Sequence, residues 1–114
     1  MVSSMPLLHL KEGVLVGCAK PVLLDGLLRL AILFYQYERL LVVTALTDGV
    51  HKPASLHYRG YAADLRIRDV PEWQRAHLLD AMHQTLGLSW DVIQEKDHYY
   101  IEYDPDHDGG KTLP

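Results

Sequence analysis

From residue 21 to about 37, Leu24, Leu27, Leu28, Ala31, Phe34 and Tyr35 return at helical spacing, and from 40 to 46 the chain becomes a short run of mostly Leu, Val and Thr. The first pattern predicts a helix with Asp25 and Arg29 paired one turn apart on its surface. The length and β-branching of the second predict a buried strand. A loop holding Asp48, Gly49 and Pro53 follows over 47–55. Asp69 and Glu72 then have the spacing of a capping box, with Pro71 in the first turn. Trp73, Ala76, Leu79, Met82 and Leu86 mark one face of a second helix that stops at Gly87. Further strands are predicted over 61–67, 89–94 and 99–103, the last two joined tightly through 95–98. This order of elements predicts the α+β class, with a small antiparallel sheet flanked by helices.

The 114 residues suffice for one domain, read as 1–104, with a short polar tail over 105–114. A single core serves at this size, since roughly two thirds of the unfolded surface is buried on folding. The lone Cys18 excludes an internal disulfide framework and reads as a small buried hydrophobe. Eleven Lys and Arg against fifteen Asp and Glu give a net charge of −4 with no basic run, which argues against a nucleic-acid partner. The longest uncharged apolar stretches, 30–37 and 40–47, fall well short of the ~20 residues of a membrane span. The first ten residues lack the charged start and cleavage pattern of a signal peptide, so synthesis in the cytoplasm is expected. Oligomeric state is left open.

Seven histidines invite a metal hypothesis. His9 has no partner nearby in sequence and reads as surface. His77 and His83 lie on the second helix roughly 240° apart and cannot face one ion together. His107 sits in the acidic run 104–109, which opens like a calcium loop but lacks the closing Glu, so a solvated tail is expected. His57 and His98 stand in more structured surroundings. In a fully extended chain His57 and Asp64 would be about 23 Å apart, so a bend is required to join them. Gly60 permits one, and small Ala62 and Ala63 let the strand bearing Asp64 pack closely. Glu95-x-x-His98 supplies a carboxylate and a histidine at a strand junction. Two imidazoles and one carboxylate, His57, Asp64 and His98, suit Zn2+ and leave a fourth position for water, with Glu95 free to act as base.

Ser55-x-His57-x-x-Gly60-x-Ala62-x-Asp64, followed by Glu95-x-x-His98, resembles the zinc peptidases of the D-Ala-D-Ala carboxypeptidase and L-alanyl-D-glutamate endopeptidase group, to which many phage endolysins belong. The resemblance covers roughly residues 40–104. It implies a hedgehog/DD-peptidase-like fold, zinc on His57, Asp64 and His98, Glu95 as the base, and peptidoglycan stem peptides as substrate. It further implies a lysis protein that acts at the bacterial cell wall after release.

Two departures shape what the resemblance implies. Many members carry His-x-His where this chain has His98-Tyr99-Tyr100, which keeps the ligand and changes its surroundings. Many carry an Arg just after the preceding strand, where this chain reads Thr44-Ala45-Leu46-Thr47-Asp48-Gly49-Val50-His51. His51 is the first choice to share the developing oxyanion charge, with Lys52 or Arg59 as substitutes. Ser55 and Arg59 are assigned to substrate, Ser55 having a plain turn role as its alternative. Tyr58, Tyr61, Tyr99 and Tyr100 are assigned to sheet packing in preference to a cleft. No Gly-x-Ser-x-Gly elbow surrounds a serine, which disfavours a nucleophilic hydrolase. The competing expectation is a non-catalytic, zinc-containing binding or structural module of phage origin, favoured by the missing Arg.

Overall fold

The structure, a computed structural model, describes residues 6–17, 19–46 and 60–105. The expected loop at 47–55, Cys18 and the tail beyond Pro105 lie outside the described residues. Five strands and two helices follow in the order β1 (Leu8–Leu10), α1 (Pro21–Gln36), β2 (Leu41–Ala45), β3 (Ala62–Arg66), α2 (Glu72–Leu86), β4 (Trp90–Gln94) and β5 (His98–Tyr103). They form one α+β unit with a sheet ordered β1-β2-β3-β5-β4. No helix among the described residues is long and apolar enough to cross a membrane.

The sheet is mixed, which corrects the antiparallel expectation. β1 runs parallel to β2, with Leu8 beside Leu41 and Leu10 beside Val43, while the other three pairings are antiparallel. Three residues with no alternating pattern left β1 unmarked in the sequence, and α1 supplies the long crossover that a parallel pair requires.

Period two along the strands divides the sheet into two faces. Leu41, Val43, Ala63, Leu65, Tyr99, Ile101, Trp90 and Val92 pack in one core with Leu23, Leu27, Leu30, Phe34, Leu78 and Met82 of the helices. Asp64, Arg66, His98, Tyr100 and Glu102 therefore lie on the opposite face. Tyr99 is fully buried, its hydroxyl donates to the Arg75 carbonyl at 3.0 Å, and burial pushes its pKa up to about 12.

Both helices occur where expected, but rotated about their axes. On α1 the buried stripe is Leu23, Gly26, Leu27, Leu30, Ala31 and Phe34, while Leu24, Leu28 and Tyr35 are exposed. Apolar residues surround most of this helix, so periodicity alone could not select the face. Asp25 and Arg29 do pair, at 3.2 Å. On α2 the buried residues are Leu78, Met82 and Leu86, and Trp73 is 78% exposed. Nine residues separate Trp73 from Met82, which places them about 180° apart around a helix. The capping box is absent too: Pro71 occupies the N-cap position without a side-chain cap. Val70 precedes a proline, which disfavours helical backbone there and delays the start of α2 to Glu72.

Gly26 is the residue a periodicity argument discards and the packing requires. A Cβ built there would lie 2.7 Å from Cζ2 of Trp90, inside van der Waals contact with a ring held between α1 and β4. Gly26→Ala gains ~1 kcal/mol of helix propensity and loses ~1–3 kcal/mol to overpacking. The expected outcome is a net destabilisation of about 1 kcal/mol, read from urea unfolding midpoints at unchanged slope.

Candidate metal centre

Gly60, expected to permit the bend that joins His57 to Asp64, opens the described segment, and His57 itself lies outside the described residues. Gly60 has φ 87°, a backbone conformation natural to glycine, and it leads directly into β3. Ala62 and Ala63 are fully buried on this central strand, as their small size predicts. Asp64 faces Tyr100 across the β3–β5 ladder, and Arg66 faces His98, so Asp64 and His98 are diagonal neighbours on the same face. His98 Nε2 stands 3.5 Å from Asp64 Oδ1, each side chain being about one quarter exposed.

That spacing agrees with a shared ion. Two donors each ~2.1 Å from a tetrahedral zinc stand about 3.4 Å apart. The other imidazole nitrogen, Nδ1, is 2.7 Å from Asp97 Oδ1. A carboxylate on one ring nitrogen fixes the ring and presents the opposite nitrogen, the common outer-shell arrangement behind a zinc-ligating histidine. The hydrogen bond from His98 holds the Asp97 carboxyl below its ordinary range. Its hold on the ring therefore survives until pH falls below the usual carboxylate range.

Asp64 is placed by an irregularity the sequence did not disclose. Val43 pairs with Leu65 but Ala45 pairs with Asp64, so β2 advances two residues for one of β3. Thr44 Oγ1 donates to the Asp64 carbonyl at 3.3 Å across this bulge. Bulges of this kind re-aim a side chain beside functional sites.

Glu95 opens the turn that leads from β4 into β5. Its N–H donates to the His98 carbonyl at 2.8 Å, and Lys96 and Asp97 form the tip between them. Continuing the register of Gln94 with Tyr99 by one step puts Glu95 directly across from His98. Cross-strand neighbours so placed share a face, with Cβ atoms about 5 Å apart. Glu95 is exposed.

Of the remaining site residues expected from sequence, His51, Ser55, His57 and Arg59 lie outside the described residues. His9, His77 and His83 are exposed, and His77 rests against the Tyr37 ring at 5.7 Å. Tyr61 and Tyr103 are in ring contact, as sheet packing predicts.

Tyr100 departs from simple packing. It stands on the open face opposite Asp64, with Glu102 accepting a hydrogen bond from its hydroxyl. Burial foremost, with the neighbouring carboxylates, raises its pKa. Beyond it, Asp91, Glu102 and Asp104 place carboxylate oxygens within 4.8 Å of one another, a grouping the sequence analysis missed. Asp91 faces Glu102 across β4 and β5, the only cue an alternation argument could have used. Burial raises the Glu102 pKa, and the charges of Asp91 and Asp104 raise it further. An all-oxygen donor set matches hard cations such as calcium rather than zinc, and exposed acids gather without any ion as well.

Comparison of the sequence with protein-family models and with curated proteins finds no match.

Proposed function

We propose that the chain is a zinc-dependent peptidase that hydrolyses an amide bond in peptidoglycan stem peptides. The Asp64–His98 pair, 3.5 Å apart and oriented from behind by Asp97, is the observation that carries this reading. His57 is the third proposed ligand, on the strength of the motif it shares with Gly60 and Asp64. A zinc ion bound by these residues would polarise the scissile carbonyl and acidify water near neutral pH. Glu95 takes the proton of the attacking water and returns it to the departing amine, so one carboxylate serves both halves of the reaction. His51 shares the oxyanion charge, while Ser55 and Arg59 contact substrate.

The lack of an Arg after β2 favours a second reading, a zinc-containing module that binds the cell wall without cleaving it. Release of new amines from purified peptidoglycan separates the two. The peptidase reading expects release by the wild-type chain, loss on chelation and return with zinc. Stoichiometric zinc with no release from peptidoglycan or defined stem peptides would leave the binding module.

A further inference from the structure

The open face of the sheet is charged unevenly. Its acidic end carries Asp91, Glu102 and Asp104. On the other side of the Asp64–His98 pair is a cleft of about 350 Å³ lined by Lys11, Thr44, Arg66, Arg68 and Asp97. Three cations against one acid reverse, at this spot, the sign of a chain whose net charge is −4. The one acid is already engaged, since Asp97 Oδ1 is 2.7 Å from His98 Nδ1. Among the described residues, the ion-pair partner of Arg66 is an exposed Asp69, at 3.7 Å. Among the described residues, no carboxylate lies within ion-pair distance of Lys11 or Arg68.

Fold geometry fixes where this cleft lies. Arg66 is the cross-strand partner of His98, and Arg68 follows two residues on, past the end of β3. Lys11 continues β1 beyond Leu10, its N–H donating to the Val43 carbonyl at 2.9 Å. The cleft and the candidate metal centre meet at Asp97, which lines one and orients the histidine of the other. An amide held at Asp64 and His98 would thus have its neighbouring residue beside the cations.

We propose that this cleft is a carboxylate subsite that receives the free α-carboxylate of the residue on the amine side of the scissile bond. This rests on the peptidase reading for the position of that bond, but not for the binding itself. In a D-Ala-D-Ala terminus the departing residue carries a free α-carboxylate. In an L-Ala-D-Glu link continued through the γ-carboxyl, it does so as well. One anion subsite therefore serves both bonds. Paired guanidinium groups suit a planar carboxylate because their donors match its two oxygens, and Lys11 adds a point charge.

The test is binding of N-acetyl-D-alanyl-D-alanine and of its C-terminal amide to the full chain at low salt, with chelator present so that hydrolysis is silent. The carboxylate form is expected to bind at least about tenfold tighter than the amide, the factor that ~1.4 kcal/mol represents. Arg68→Gln and Lys11→Gln, both exposed positions, should each reduce that preference with unchanged thermal unfolding. Arg66→Gln should reduce it too. Equal binding of the two peptides, or a preference that persists in all three variants, would overturn the subsite. Equally strong binding of inorganic phosphate that displaces the peptide would overturn its assignment to peptide. Hydrolysis is assayed separately with zinc: cleavage without carboxylate preference refutes the subsite alone, and preference without cleavage refutes the peptidase alone.

Discussion

Glu95→Gln is expected to lose hydrolysis of stem peptides by about 10²–10⁴-fold, the range over which a positioned general base acts, while keeping zinc at the wild-type level. The two halves of this result follow from where Glu95 stands. It lies across from His98, at the start of a turn closed by its own N–H, so it shares the face of the candidate ligands. Its replacement by Gln keeps the shape and backbone hydrogen bond of the turn and removes only the proton-accepting carboxylate. Side-chain exposure at this position means that folding should not change. Comparison of kcat with zinc content in the same preparation checks it. Wild-type kcat in Glu95→Gln would remove Glu95 from the chemistry, and loss of zinc would make it a ligand instead of a base.

Asp97→Ala is expected to weaken zinc affinity about 10–100-fold, the usual cost of losing the carboxylate behind a ligating histidine. Asp97 has no route to the ion in this arrangement, because it contacts Nδ1 while Nε2 is turned to Asp64. Its effect comes through the orientation and basicity of the ring. Because His98 holds the Asp97 carboxyl below its ordinary range, the carboxylate form is retained at every pH at which zinc binds. The loss is read at one fixed pH by competition with a chromophoric chelator. An affinity unchanged from wild type would show that the 2.7 Å contact is a surface pair without a role behind a metal.

The sequence was most informative where spacing and chemistry acted together. Asp64 and His98 are thirty-four positions apart in the chain, yet the paired motifs joined them, and neighbouring antiparallel strands place them on one face. The first strand was legible from its alternation, and the second carries Tyr99, Tyr100 and Ile101, residues that favour strands. Helix existence was legible from apolar residues recurring at helical spacing, but helix faces were not. Leu24 and Leu28 are as apolar as Leu23 and Leu27, so apolarity does not select the buried side, and the ring of Trp90 packs on the side that holds Gly26. The Val43/Ala45 bulge left no trace, because a one-residue shift is a property of two strands together. Asp97 left a cue in its place immediately before His98. Strict strand alternation sends neighbours to opposite faces, and the turn at residues 96–97 lifts that restriction.

Zinc content tests the central claim most directly. Elemental analysis of the wild-type chain and of His98→Ala, purified identically and exposed to equal zinc before desalting, should find one ion per chain in the first and essentially none in the second. His98 is only about a quarter exposed but sits outside the core, so a matching thermal unfolding profile will show that both chains are folded. The absence of bound zinc in the wild-type chain, or equal zinc in both, would contradict the account.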